Sequence, residues 1–201
     1  MDLKSWPLGC KAGVALIVVY LVFTFSSWAL FPTPYSPVDN WLSDLGNYEY
    51  NPDGAILYNL GCILTGAAGT LFVWGLKVWH TEERARTLVI KAAQGLGLLA
   101  CVFLICIGIF SEDFPPYHGI FSVAFFLAFG LFILVFIPSV FTHPRFMKPV
   151  GIFGILSLGI DISFGAVYGE PIMEWTTVFG FLILVGLLVY NILRMQSWAK
   201  S

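Results

Sequence analysis

Six stretches of the chain, 12–31, 54–79, 88–110, 119–141, 150–168 and 172–193, are apolar almost throughout. Each is close to the roughly 20 residues that a helix needs to cross a hydrocarbon layer about 30 Å thick. Inside such a layer the backbone must satisfy its own polar groups, which leaves helices and closed barrels. Barrel strands would read as segments of about ten residues with in-and-out alternation, whereas these runs are continuously apolar and twice as long. The expected fold is an all-α integral membrane protein, a six-transmembrane-helix bundle forming one domain over residues 1–201. With 58% hydrophobic and 11% charged residues and a mean hydropathy of +0.85, a water-facing globular surface is excluded. Lys4 and Lys11 precede the first run as in a signal peptide. That run is too long for one, and no small-x-small cleavage site follows, so it reads as a retained helix.

The basic residues fix an orientation for these spans. Lys4 and Lys11 precede the first, Lys77, Arg84, Arg86 and Lys91 surround the second connection, Arg145 and Lys148 lie in the fourth, and Arg194 and Lys200 follow the sixth. All ten therefore fall on one side, and the positive-inside rule makes that side, with both termini, cytoplasmic in a multi-pass protein of the cell membrane. The opposite connections carry Asp39, Asp44, Glu49, Asp53, Glu112, Asp113, Glu170 and Glu174. Two readings stand: exported loops that simply lack basic residues, or a mouth that attracts cations or handles protons.

The one outer connection with room for structure is the first. Ser36-Pro37-Val38-Asp39 resembles a helix start and Gly46 a stop. Between them Val38, Trp41, Leu42 and Leu45 share one stripe, so a short amphipathic outer helix over 37–45 is expected between the first two spans, as a lid on the bundle or in the headgroup layer. Asp53, after Asn51-Pro52, is expected to cap the second span. Gly61, Thr65 and Gly69, and again Gly165 and Gly169, recur at intervals that permit close helix approach. Gly95-Leu96-Gly97 lies within an apolar helix and reads as packing, not as a nucleotide fingerprint. Trp41, Trp28, Tyr117, Tyr168 and Trp175 lie near the acidic boundary, where amphipathic rings serve as anchors. The four cysteines show neither disulfide nor zinc spacing. No cofactor is expected.

Polar residues at the acidic ends of the spans are the candidates for chemistry. Asp161 lies seven residues from Tyr168, roughly 10 Å below the boundary. An ionisable group at that depth faces the bundle interior or a water-filled cavity, or bridges helices as a hydrogen-bonded acid beside Ser157. His118 opens the fourth span beside the outer acids, with Ser122 one turn below it. A Ser-His-Asp hydrolase would use His118 as general base or acid, Asp44 or Asp113 as its orienting partner, and Ser43 or Ser122 as nucleophile or hydrogen-bond donor. Against it, His and Ser one turn apart are common by chance and no nucleophile-elbow motif is present. His118, Asp113, Glu112 and Asp44 have the chemistry of a metal site, but the other histidines, His80 and His143, lie on the basic face, and no metal is expected.

Asn40-Trp41-Leu42-Ser43-Asp44-Leu45-Gly46, Asn51-Pro52, Tyr58-Asn59-Leu60-Gly61, Gly108-Ile109-Phe110-Ser111-Glu112-Asp113 and His118 together resemble the prokaryotic six-helix family catalogued as domain of unknown function 998. They are more distantly similar to the DRAM/Frag/Sfk membrane proteins. The resemblance implies a six-helix fold with an extracytoplasmic patch at Ser43, Asp44, Asn59 and His118. Eukaryotic relatives tied to lipid-anchor remodelling turn the expectation toward lipids.

The resulting expectation is an outward-facing polar pocket that binds or modifies a lipid-like substrate. His118, Asp44, Ser43 and Ser122 would be its catalytic set, with Asn59, Asp113, Asp161 and Trp41 binding the ligand. A proton- or cation-coupled transporter using Asp161, or a non-catalytic scaffold, are the alternatives. Membrane lipid is the expected partner, nucleic acid is not, and a homo-oligomer stays open.

Overall fold

The computed structural model describes residues 3–168 and 170–198, with side chains placed for all of these except 161, 162, 164–168, 170, 197 and 198. Among the described residues every regular element is helical: α1 (Leu8–Ala29), α2 (Ala55–Gly75), α3 (Arg84–Ile109), α4 (Pro115–Phe141), α5 (Lys148–Tyr168) and α6 (Glu170–Trp198). Short 3₁₀ turns sit at Leu3–Ser5, at Leu42–Gly46, and at Leu76–Trp79 as a continuation of α2. Five helices are long and apolar enough to cross a membrane, and the described apolar part of α5, Lys148–Ile160, is shorter. This is a multi-pass membrane protein.

Several helices outrun the apolar stretches. Hydropathy marks where hydrocarbon begins, while backbone hydrogen bonding continues until a local signal stops it. Pro7, just ahead of α1, and Pro115-Pro116, in the first turn of α4, supply fixed φ where an N–H has no helical partner. At α3 the start is Arg84, and the ion pair of half-buried Arg86 with exposed Glu83, 3.4 Å apart, spans the boundary.

Each helix packs on its neighbours in sequence, and α6 returns to pack on α1, so the six close into a ring. Short connections make them alternate in direction, with the basic residues gathered at one end and the acidic connections at the other. Outside the ring, Ile120, Val123, Leu127, Leu131 and Leu134 of α4 stand exposed at three- and four-residue spacing. Such an apolar outer face suits lipid and not water.

Glycines bring the backbones close where the ring is tightest. A Cβ on Gly9 would stand 2.8 Å from the Cα of Gly75, which joins α1 to α2 backbone against backbone. A Cβ on Gly66 would meet the Cys101 carbonyl at 2.7 Å, and one on Gly108 would overlap the Asn59 carbonyl, joining α2 to α3. The expected packing role holds for Gly61, against Phe23, and for Gly69, against the Cys101 sulfur. It fails for Gly95, where a Cβ meets nothing within 4 Å. Gly165 lies in α5 with its side-chain surroundings outside what is described, and Gly169 lies outside the described residues.

At the basic end, Asn191 of α6 is fully buried. It accepts from the Met147 N–H at 2.9 Å and donates to the Arg145 carbonyl at 3.0 Å, fastening the α4–α5 connection to the ring. The four cysteines are free.

A side chain at Gly108 must push α2 and α3 apart, whereas one at Gly95 points into open space. Gly108→Val should therefore lower stability by about 1–3 kcal/mol, the usual range for overpacking, and Gly95→Val should leave it within about 0.5 kcal/mol. Thermal unfolding in detergent distinguishes them, and equal losses would contradict the packing described.

Candidate functional site

The connection 30–54 folds over the acidic end of the ring. Tyr35 packs edge-on or tilted among Trp28, Phe31 and Trp175, with ring centroids 5.1, 4.8 and 5.9 Å away. Its hydroxyl donates to the Trp41 carbonyl at 2.6 Å, and the Trp175 indole N–H donates to the Asn40 carbonyl at 3.3 Å. The amphipathic helix expected over 37–45 is instead a capped turn followed by the 3₁₀ turn Leu42–Gly46. Ser36 begins the first turn as expected, its hydroxyl accepting from the Val38 N–H at 3.2 Å. Asp44 stops a continuous helix, because its Oδ2 accepts from the Trp41 N–H at 3.1 Å and re-starts the chain there. Val38 consequently stays exposed, while Leu42 and Leu45 are fully buried.

Asn51 holds this roof down. Fully buried, its Nδ2 is within donating distance of the Ser27 carbonyl at 3.2 Å, the Ser27 hydroxyl at 2.9 Å and the Leu45 carbonyl at 3.0 Å. Its Oδ1 accepts from the Gly54 N–H at 3.2 Å. The start of α2 is therefore turned by Asn51, and not by Asp53: Gly54 takes the cap position without a side-chain cap bond. Asn59, expected to bind ligand, donates to the Gly46 carbonyl at 2.9 Å and secures the same turn.

Three carboxyl groups lie beneath the roof within electrostatic reach of one another. Glu174 of α6 is buried, and its Oε2 accepts from the Ser43 N–H at 3.3 Å. Asp44 accepts from the Asn40 amide at 3.3 Å, and Glu112 from the Asn47 amide at 3.4 Å. Asp44 and Glu112 lie close enough for each to act on the other's ionisation. Burial, and then the Asp44 charge, push Glu112 from its ordinary 4.5 to about 7. Burial also raises Asp44, although its bonds to Asn40 and Glu112 pull the other way. Asp113 behaves oppositely. Its slight burial acts upward, but the Ser111 hydroxyl at 2.7 Å and the Tyr48 N–H at 3.1 Å outweigh it and hold the carboxyl below its ordinary range.

Below Glu174 lies a narrow, partly open cavity of about 80 Å³ within the ring. Phe125, Phe126, Phe129 and Phe132 of α4 and Phe181 of α6 form much of its wall, with Phe129 and Phe181 stacked 3.9 Å apart. Tyr20 and Tyr58 line the end nearest Glu174. Their hydroxyls are 3.4 Å apart, longer than the usual 2.7–2.8 Å of an O–H···O bond, so each retains hydrogen-bonding capacity. Farther in, Thr65 lines the wall, and its buried Oγ1 has no hydrogen-bond partner among the described residues. An unpaired buried hydroxyl costs about 1–3 kcal/mol.

The sequence-derived candidates separate accordingly. Ser43 contributes its backbone N–H to Glu174, Asp44 joins Glu112, and Ser122 lines the cavity. Trp41 enters through its backbone, donating to Asp44 and accepting from Tyr35. His118 is buried, and its Nδ1 lies 3.0 Å from the Phe110 carbonyl; a carbonyl only accepts, so Nδ1 carries the proton. That bond ties the start of α4 to the end of α3. Among the described residues no hydrogen bond joins His118 to Asp44, Asp113, Ser43 or Ser122, and no three His, Cys, Asp or Glu side chains are grouped to hold a metal ion. The Asp161 side chain lies outside the described residues.

Residues not singled out from the sequence are Glu174, Tyr20, Tyr58, Thr65 and Asn51. A signal was available for four of them: Tyr20, Tyr58, Thr65 and Glu174 are polar groups inside apolar runs, as Asp161 is.

Fold and site together define a multi-pass membrane protein whose helical ring surrounds an apolar cavity with carboxyl groups at one end. The chain belongs to the family described as "Protein of unknown function (DUF998)", whose model matches residues 12–194. No curated protein and no solved structure matches it.

The folded protein keeps a proton on Glu112 that the unfolded chain releases above its ordinary pKa of 4.5. This contribution to stability is fully present below that value and is lost as pH rises through about 7. Thermal melts should therefore fall from about pH 5 to about pH 8. Glu112→Gln, which removes the titrating group, should flatten the slope, and Asp113→Asn should leave it unchanged because that carboxyl is already ionised across the window. A wild-type slope that is flat or rises would contradict the assignment.

Proposed function

We propose that this protein holds an apolar, lipid-like molecule inside its helical ring. The polar head meets Glu174, Tyr20 and Tyr58 at the acidic end, and the apolar body lies among the phenylalanines. The observation that carries this reading is the sequence of the cavity wall, which runs from a buried carboxyl and two loosely paired phenols into an aromatic, apolar interior. Its wall has the make-up of small-molecule sites, mostly apolar with a few placed polar groups. The lipid assignment rests on that wall and not on kinship.

The membrane arrangement that accompanies the reading has six spans. α5 contains 21 residues, and at 1.5 Å per residue these extend roughly 31 Å, enough for a hydrocarbon layer. With all ten Lys and Arg at the opposite end, the positive-inside rule sets both termini in the cytoplasm and the acidic roof outside the cell membrane. The ligand then enters from, or is presented to, the outer leaflet. Binding is favoured over hydrolysis because, among the described residues, no hydrogen bond joins His118 to Ser43, Ser122, Asp44 or Asp113.

Filling the cavity tests the reading. Ala100 and Val178 both line it, whereas Leu127 faces outward. Native mass spectrometry of protein extracted from its own membranes should show a lipid-like adduct on the wild type and on Leu127→Phe. The adduct should fall by about tenfold, equivalent to about 1.4 kcal/mol, in Ala100→Phe and Val178→Phe preparations that remain monodisperse. Equal adducts on all four proteins would overturn the assignment of the ligand to the ring.

A further inference from the structure

We infer that a hollow at the basic end of the bundle, between the start of α1 and the ends of α2 and α6, holds the phosphate head and the first part of one chain of an anionic phospholipid. The lipid comes from the leaflet on that side. The site is separate from the ring cavity and does not rest on the ligand proposed for it.

The hollow measures about 480 Å³, within the range of small-molecule sites. Phe72 belongs to its wall and to the wall of the cavity below Glu174, and so divides the two. Gly9 and Gly75 also line it, at the crossing where α1 and α2 meet backbone against backbone. Neither has a side chain to fill the space beside that crossing. Leu8, Leu71 and Trp74 of the wall are exposed on the outside of the bundle, so the hollow opens where lipid lies.

Two side chains of the wall, Lys77 and Gln196, bring hydrogen-bond donors. The Lys77 ammonium lies over the Trp74 ring, 5.7 Å from its centroid, and among the described residues Lys77 forms no ion pair. Nor does any hydrogen bond among the described residues engage the Gln196 amide. Leu71 precedes Lys77 by six residues along α2 and its continuation, and Ile192 precedes Gln196 by four along α6. Each of these helices therefore carries a donor at the outer end of the hollow and an apolar side chain roughly 6–10 Å deeper.

Charge and wall together select the occupant. All ten Lys and Arg lie at this end against three carboxylates, Asp2, Glu82 and Glu83, and Glu83 is already paired with Arg86. The surplus positive charge draws an anion. A small anion would meet Lys77 and Gln196 but leave Leu71, Phe72 and Ile192 uncovered, whereas a phospholipid covers both parts of the wall. Basic pockets between helices on the cytoplasmic side take anionic head groups in this way, and an indole such as that of Trp74 sits at head-group level.

The test uses the full-length protein, delipidated in detergent and titrated in native mass spectrometry with phosphatidylglycerol and with phosphatidylcholine of the same acyl chains. The wild type should prefer phosphatidylglycerol by about fivefold, the factor that one lysine supplies beside an anionic head group. Lys77→Gln should abolish the preference and Lys77→Arg should keep it. Arg84→Gln, which removes a basic residue of the same end that does not line the hollow, should leave it unchanged. Gln196→Ala should weaken both lipids, since both carry a phosphate. Equal binding of the two lipids to the wild type, or a preference that survives Lys77→Gln, would overturn the site. Equal loss in Lys77→Gln and Arg84→Gln would also overturn it, because the whole basic end and not the hollow would then attract the lipid. Displacement of the bound lipid by an equal concentration of glycerol phosphate would overturn the lipid as occupant in favour of a soluble phosphate.

Discussion

The acidic end of the molecule depends on the bonds made by the Asn51 amide. It spans Ser27 at the end of α1, Leu45 in the 3₁₀ turn and Gly54 at the start of α2, three segments that hydrophobic packing alone would not hold in register. With Leu45 fixed, Leu42 is buried, Asp44 comes beside Glu112, and the Ser43 N–H is brought to Glu174. Ser27 reinforces the arrangement by donating to the Leu45 carbonyl at 3.0 Å. A buried amide serving several carbonyl and hydroxyl groups suits this place, because backbone groups turned away from a helix near hydrocarbon have no water to pair with.

The roof also explains how acidic residues are tolerated above an apolar cavity. Asp44, Glu112 and Glu174 receive hydrogen bonds from Asn40, Asn47 and the Ser43 N–H. None of these donors carries a full positive charge, so burial and mutual repulsion favour the protonated form of Glu112. The polar end of the cavity is consequently built from groups that both donate and accept. Such a set matches an uncharged or proton-donating head better than an anion, which the carboxyl groups would repel.

The ring itself was largely legible in the sequence. Six apolar runs and one-sided basic residues anticipate the six helices and their alternation, because hydrocarbon leaves few alternatives. The boundaries shifted where proline or a local hydrogen bond, and not hydropathy, decided them, as at Pro7 and Pro115. The site was less legible. Ser43, Asp44, Ser122 and Asn59 were singled out, yet Ser43 acts through its backbone, and Asn59 holds the roof. Glu174 was read among the loop acids although it lies within the last apolar run. The roof was misread as an amphipathic helix because a period of hydrophobic residues does not reveal a side chain that bonds back to its own backbone, as Asp44 does to Trp41. Convergence of Tyr20, Tyr58 and Thr65 on one cavity depends on ring closure between α1 and α6, which no local pattern encodes.

The central claim is that the ring is a container for a lipid-like molecule. An experimental density map of the wild-type protein, reconstituted from its own membrane lipids into nanodiscs, tests it most directly. The account predicts elongated density within the ring, with one end in hydrogen-bonding reach of Glu174 and its length among the phenylalanines. A ring in which Phe129, Phe181 and their neighbours have closed the space, with lipid density confined to the outer apolar face, would contradict it.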